Sequence, residues 1–328
     1  MRQRPQRRAC FFARVRNREE LQRVEFYAQD VRALEELGYE VVTATRPSEL
    51  RLADVYVAWW WTWAFVPVSF AHLLRRPVIV TGVFDHWKYP SRPLAHRLLH
   101  RFALGTAAAN VFVSNLEFAE VPSSLPVRNP IYAPLTIDGD VYRPGEGGRE
   151  DMVLTTAKMA RGNGHRKCIE EIIRAVPLVR RRHPGVSFVI AGEPSPEYPA
   201  LARELGVEDA IHFPGVVDRE TKVRLMQRCR VYLQPSRFEG FGLAIAEAMA
   251  CGAPVVTSDA GAVREVVGDH AQFVDGTSPS SIAAGLDALL SDPTRQARLS
   301  EAGRARITDQ FSFERHKRDW ATILESVL

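Results

Sequence analysis

Two glutamates, Glu239 and Glu247, stand eight residues apart around a glycine-bearing turn, Glu239-Gly240-Phe241-Gly242-Leu243. A carboxylate at Glu239 accepts hydrogen bonds from hydroxyls, and the glycines let an anionic ligand approach the main chain closely. The turn leads into a run of strong helix formers, Leu243 to Ala250. A helix start offers free backbone N–H groups and the positive end of the helix dipole, which favour an anion. The stretch suits a ligand with an anionic part and a polyol part, and a nucleotide diphosphate-sugar has both. A second candidate lies in Gly82-Val83-Phe84-Asp85-His86-Trp87, which follows the apolar run Val78 to Thr81. Ligands of open α/β sheets sit outside the carboxyl ends of strands, so Asp85 or His86 is placed to face a second substrate. The alternative is that Asp85 caps the next helix and His86 lies on the surface.

The elements that must position these residues alternate strand and helix. Val231 to Leu233 is β-branched and apolar, as a buried strand is. Gln234 to Gly242 is a loop, and Gly252 and Pro254 end the helix that follows. Val255 and Val256 open another strand. Strand, loop, helix, strand implies a parallel sheet. The first half opens in the same way: a strand over 9–15, an amphipathic helix over 19–37 closed by Gly38, and a strand over 39–44. Further strands are expected at 55–60, 78–81, 110–113, 152–156 and 186–191. Helices are expected at 64–74, 93–104, 169–181, 218–228, 279–290, 294–308 and 315–328, the last with Ser312 in an N-cap position. Residues 129–134 and 212–215 read as loops, and 144–149, rich in Gly and charge, as a linker.

In register, Phe238-Glu239-Gly240-Phe241-Gly242-Leu243, Glu247-Ala248-Met249-Ala250-Cys251-Gly252 and Pro254-Val255-Val256 resemble the E-x7-E signature of the family 4 retaining glycosyltransferases. The resemblance covers nearly the whole chain and is strongest over 110–328. It implies an α/β fold of the GT-B kind: two Rossmann-like domains with parallel sheets facing a central cleft, and a C-terminal helix crossing back to the first domain. The domains would be 1–145, binding the acceptor, and 146–328, binding the donor. By the same resemblance, Glu239 with Gly240, Phe241, Gly242 and Leu243 would hold the donor's sugar and phosphate, and Glu247 its ribose. A loop ending in Gly215 would cover the base. Relatives carry an Arg and a Lys that pair with the donor diphosphate, which gains negative charge as the glycosyl bond breaks. Lys167 takes the Lys position, and Lys158 or Arg161 the other. No protein nucleophile is implied, since members are thought to use front-face attack assisted by the phosphate. Two departures stand out. Arg14-Val15-Arg16-Asn17-Arg18 replaces a glycine pair after the first strand, and Phe84-Asp85-His86 replaces a His-Asp pair.

The expected activity is sugar transfer from a nucleotide-sugar to an acceptor hydroxyl, the acceptor being a glycan, a lipid-linked species or a small molecule. The altered reaction-centre segment keeps two alternatives open: a nucleotide-sugar epimerase or hydrolase, and a non-catalytic nucleotide-sugar-binding partner of a glycan assembly complex. No cofactor beyond the co-substrate is expected, and no metal. Asp138-Gly139-Asp140 matches a metal motif of the other glycosyltransferase architecture, but its surroundings fit the phrase before the linker. His96 and His100 lack a nearby cysteine or acid cluster. No G-x-G-x-x-G follows an expected strand, which argues against a dinucleotide dehydrogenase.

With 328 residues, 46% hydrophobic and 25% charged, the chain has the composition of a soluble globular protein of two domains. A net charge of +4 does not argue for nucleic acid. Four scattered cysteines without a C-x-x-C pair fit a reducing cytoplasm. Residues 55–74 approach the length of a membrane span, but Pro67, Ser69 and His72 interrupt them. An aromatic face from Trp59, Trp60, Trp61 and Trp63 touching the inner membrane surface is the preferred expectation there.

Overall fold

The structure, a computed structural model, describes residues 7–328 apart from Asp85 and Arg161, and the side chain of Trp87 also lies outside it. The chain divides into two compact units. One holds the residues up to Thr136 together with Phe311–Leu328, and the other holds Ile137–Gln310. Residues 137–145, counted with the first half by sequence, thus cluster with the second.

The first unit is built on six parallel strands in the order β2-β1-β3-β4-β5-β6. They are β1 (Arg8–Ala13), β2 (Glu40–Ala44), β3 (Val55–Trp59), β4 (Val78–Gly82), β5 (Ala109–Phe112) and β6 (Pro130–Tyr132). β3, β4 and β5 are buried along their full length, which is why they read as continuous apolar runs rather than alternating ones. The expected 19–37 helix is two, Glu20–Arg23 and Glu25–Glu36, because Val24 between them is extended. β6 falls where a loop was expected. Its Pro130 argues against a central strand, but β6 is at the sheet edge and pairs with β5 alone, where a missing N–H is tolerated.

The closing helix Phe313–Val327 packs on Glu25–Glu36, as a returning C-terminal helix should. Its anchor is Asp30, which is 2% exposed. Asp30 accepts from Trp59 Nε1 at 2.5 Å, Trp320 Nε1 at 2.9 Å and the His316 ring at 2.7 Å. The tryptophan-rich stretch is therefore not an exposed aromatic face. Trp59 stacks on Phe26 and Trp61 on Phe112, and both indoles are buried; Trp63 alone of the four is exposed. Among the described residues, no helix is long and apolar enough to cross a membrane.

The second unit holds β7 (Glu150–Thr156), β8 (Ser187–Ala191), β9 (Ile211–Gly215), β10 (Cys229–Gln234), β11 (Val255–Thr257) and β12 (Gln272–Phe273). All are parallel, in the order β12-β11-β10-β7-β8-β9. β9, like β6, is an edge strand in a stretch expected as loop. The order reverses between β7 and β10, the position at which doubly wound sheets take ligands. Arg149, in the expected linker, anchors this unit. Its guanidinium donates to the carbonyls of Gln227 and Cys229 at 3.1 and 2.8 Å, and to those of Cys251 and Gly252. It thereby satisfies the C-terminal ends of two helices, Arg219–Arg228 and Leu243–Ala250, where a cation also opposes the helix dipoles.

Candidate active site

The loops leaving β7 and β10 meet at the switch point of the second sheet. After β10, residues 235–242 turn sharply into the helix Leu243–Ala250, whose bounds match the sequence expectation. Gly242 sits at its N-cap with φ 96°, a left-handed conformation that costs glycine little. Gly261 presses on the same turn: a Cβ there would lie 2.2 Å from the Glu239 carbonyl oxygen. That carbonyl accepts from the Ala262 N–H at 2.9 Å, so the turn is held from behind.

Glu239 is 6% exposed and its carboxylate is heavily ligated. Lys167 Nζ lies 2.6 Å from Oε1, Ser236 Oγ donates to it at 2.5 Å and Gln234 Nε2 at 2.9 Å. Arg166 Nη1 lies 3.2 Å from Oε2 and also donates to the Phe238 carbonyl at 2.8 Å. Behind them, Tyr232 donates to Gln234 Oε1 at 2.7 Å, fixing the amide that faces Glu239. Lys167 and Arg166 come from the β7 loop, where Cys168, at φ 54°, separates the short helix Asn163–Arg166 from Ile169–Arg180. Among the described residues, Glu239 is the one hydrogen-bond partner of Lys167, so two of the three ammonium hydrogens are uncommitted.

Glu247, 2% exposed, pairs with Lys222 Nζ at 2.8 Å. Lys222 projects from Arg219–Arg228, and its ammonium lies 5.0 Å from the centroid of the Tyr142 ring. Each signature glutamate thus carries its own lysine. Glu247 is also near enough to act electrostatically on Lys167.

The other expected site residues divide. Gly215 ends β9 with φ 75°. Phe241 is buried, and Leu243 is the first residue of its helix. Lys158 is exposed and makes no hydrogen bond or ion pair with a described residue, and the second cation beside Glu239 is Arg166. The expectations for Arg161 and Asp85 lie outside the described residues. In the first unit, His86 sits on two carboxylates of Asn115–Ser124: its Nε2 is 2.5 Å from Glu120 and its Nδ1 is 3.9 Å from Glu117. Glu117, fully buried, also accepts the Phe84 N–H at 2.9 Å. His86 is thereby tied to the loop after β4. His96 is exposed, while His100 is buried against Phe84 and Tyr89, so the two do not form a ligand pair.

Four side chains that touch the signature glutamates escaped the sequence reading: Arg166, Ser236, Gln234 and Lys222. The scarcity of lysine was the available signal, since two of the chain's five lysines pair with the two signature glutamates.

The electrostatics have a consequence for stability. Burial alone would push the Glu239 carboxyl up, but Lys167 and Arg166 outweigh it and hold the group below its ordinary value of 4.5. A depressed carboxyl contributes stability above its unfolded value and loses that contribution as the pH falls through its folded one. Urea midpoints measured from pH 7 to pH 3 should therefore drop below pH 4.5, and drop less for Glu239→Gln. Identical acid slopes for the two proteins would contradict this.

Comparison with known proteins places these features. Residues 155–306 match the family model "Glycosyl transferases group 1". The chain is 29% identical over 255 residues to an MMP alpha-(1->4)-mannosyltransferase of Mycolicibacterium hassiacum, covering 76% of this chain and 59% of the relative. It is 33% identical over 163 residues to a glycogen synthase of Mycobacterium tuberculosis, covering 48% and 38%. The chain thus spans about three fifths of the first relative's length and about two fifths of the second's. Among solved structures, Anabaena HepE in complex with UDP and glucose superposes with a TM-score of 0.79 at 17% identity, over 98% of this chain and all of that one. Sucrose-phosphate synthase from Thermosynechococcus elongatus gives 0.73 at 18%, over 95% and 80%.

Proposed function

We infer that this chain, a GT-B glycosyltransferase whose residues 155–306 belong to the group 1 glycosyl transferases, moves a sugar from a nucleotide-sugar donor to an acceptor hydroxyl. The observation that carries this is the buried Lys167–Glu239 pair beside a helix start, at the switch point of the second sheet. Glu239 offers its carboxylate to donor hydroxyls. The main chain of Gly240 to Leu243 faces the phosphates, and Lys167 with Arg166 takes up the charge that develops on the leaving diphosphate. Lys167 does this without leaving Glu239, because it keeps two free donors. Glu247, positioned by Lys222, holds the ribose. We propose retention of configuration and no resident metal, in keeping with a site whose positive charge is supplied by side chains.

The test is calorimetric titration with a panel of nucleotide-sugars. The wild type should select one donor, and Glu247→Ala should weaken it about ten- to hundredfold. Failure of the wild type to bind any nucleotide-sugar would overturn the proposal, and isomerisation of a donor without acceptor would point to an epimerase.

We further propose a peripheral membrane contact at the cytoplasmic face. The support is the helix Leu94–Thr106 rather than the tryptophans. It exposes Leu94, Leu98 and Phe102 at intervals of four beside Arg97 and Arg101, and it carries no acid. Leu73, 81% exposed, lies on the helix packed against it. An apolar stripe flanked by arginine suits an anionic bilayer surface. Co-sedimentation with phosphatidylglycerol vesicles should be strong for the wild type and weak for Leu98→Glu; equal sedimentation would remove the idea.

A further inference from the structure

The first sheet has a switch point of its own. β1 lies between β2 and β3, so the winding reverses between β1 and β3. The loops leaving these strands carry Arg14 and Trp60-Trp61-Thr62-Trp63. With Val83 and Phe84 after β4, and Arg92, they line a cavity of about 300 Å³. The donor site described above uses none of these residues.

Three features give the cavity a chemistry. Its walls are aromatic, which suits the C–H face of a hydroxylated ring. Its charge, among the described residues, is positive. Arg14 lies 5.4 Å from the centroid of the Trp63 ring and spends one N–H on the Thr45 carbonyl at 3.2 Å. Arg92 spends one on Thr62 Oγ1 at 3.2 Å. Among the described residues, no carboxylate pairs with either guanidinium. The sequence from Val55 to Leu116 holds a single acid, Asp85. Third, the indole N–H of Trp61 is buried without a partner among the described residues, although Trp61 lines the cavity. That N–H has essentially no exposed surface, so the wall presents the indole ring to a ligand and not its donor.

The backbone agrees. Trp60 has φ 73°, a left-handed conformation that costs a bulky residue free energy and persists where the surroundings impose it, commonly at functional sites. Here the Trp60 indole donates to the Tyr27 hydroxyl. This turn swings Trp61 and Trp63 apart, one buried and one exposed, so that the cavity opens to solvent beside Trp63 and the exposed Arg14.

We propose that this cavity binds the acceptor, and that the acceptor is an anionic polyol: a hydroxylated ring bearing a phosphate or a carboxylate. The ring lies on the tryptophans, and the anion takes the free N–H groups of Arg14 and Arg92, whose planar forks match both anions. The volume is at the low end for small-molecule sites, enough for one ring and its anion and too small for a lipid chain. The proposal rests on the transferase function inferred above, since it takes the cavity as the acceptor side of that reaction. It also gives a use to the arginine loop that stands after β1 in place of glycines.

The experiment is a tryptophan-fluorescence titration of the full chain with methyl α-mannoside, mannose 6-phosphate and glucuronate. Wild type, Arg14→Gln, Arg92→Gln and Trp63→Ala are compared at matched thermal midpoints. The wild type should bind at least one anionic probe about tenfold or more tighter than the neutral glycoside. Each arginine variant should lose about tenfold for that anion and change little for the neutral ring, and Trp63→Ala should weaken all probes. Preference for phosphate alone identifies a phosphorylated acceptor, and equal binding of both anions identifies charge as what is read. Equal affinity for neutral and anionic probes, or no binding of any probe by the wild type, overturns the proposal. Titrating the same protein with the nucleotide-sugar panel separates the two inferences. Donor binding without anion preference sinks the acceptor proposal alone. Anion preference lost in the arginine variants, without donor binding, keeps the anionic-polyol site and sinks the transferase function.

Discussion

A Lys167→Met enzyme is expected to transfer sugar about two to three orders of magnitude more slowly than the wild type, with a smaller change in donor affinity. The reason is where charge appears. A bound nucleotide-sugar already carries its phosphate charges, and Lys167 meets those. As the glycosyl bond breaks, the diphosphate oxygen gains a further charge. A nearly buried ammonium holding two free hydrogens is worth more at that moment than before it. The same substitution destabilises the fold, because it leaves the Glu239 carboxylate buried with Arg166 as its remaining cation. Removing one partner of a buried pair costs about 3 to 5 kcal/mol, and Arg166 holds the loss to the lower end. The double variant Lys167→Met/Glu239→Gln distinguishes the two effects. It removes the orphaned charge, so part of the stability should return while the rate stays low. A rate that recovered together with stability would mean that Lys167 serves the fold and not the reaction. Steady-state kinetics and urea unfolding on the three variants give the answer.

The second large effect concerns Asp30. Asp30→Ala should remove about 4 kcal/mol from the first unit, because it takes away the shared acceptor of Trp59, Trp320 and His316, all buried, and leaves the Trp320 N–H only the His316 ring at 3.1 Å. Asp30→Asn should cost less than alanine, since one carbonyl oxygen still accepts while the amide now faces donors. By contrast, Glu36→Ala, which breaks the exposed pair with Lys317, should barely move stability. With two units, unfolding need not be two-state, so the effect belongs in the transition that releases the first unit. Hydrogen exchange along Phe313–Val327 assigns it directly. Uniform protection of that helix in Asp30→Ala would mean that the carboxylate does not hold it.

The sequence was most legible where structure is local. The helix Leu243–Ala250 is bounded by Gly242 and Gly252, and its limits follow from those glycines and its composition. Strands buried on both faces are legible for a similar reason, as unbroken apolar runs. Three strands were missed, β6, β9 and β12, all short and at sheet edges: β6 and β9 contain Pro130 and Pro214, and proline is a sound argument only against a central strand, while β12 has two residues. The site was half legible. Glu239, Glu247 and Lys167 lie in a recognisable pattern. The second cation at Glu239 is Arg166, which the short helix after β7 turns inward, whereas Lys158, expected to meet the donor diphosphate, is exposed. Lys222 is 25 residues from Glu247, and only packing of one helix on another brings them together. The tryptophans misled for the opposite reason. A run of aromatics suggests a surface that meets lipid, but Asp30 and Phe112 take two of them inside.

The return of the last eighteen residues to the first unit also sets an order of events. During synthesis, Ile137–Gln310 emerges complete before Phe311–Leu328 leaves the ribosome, so the later unit is the first able to finish folding. The earlier one waits, with the Glu25–Glu36 face open and the Asp30 carboxylate short of two of its three donors. At about 5 to 20 residues per second, emergence of the intervening segment alone takes on the order of ten seconds or more. For that interval the nascent chain displays an unfinished apolar surface, and it is there that chaperones would find it.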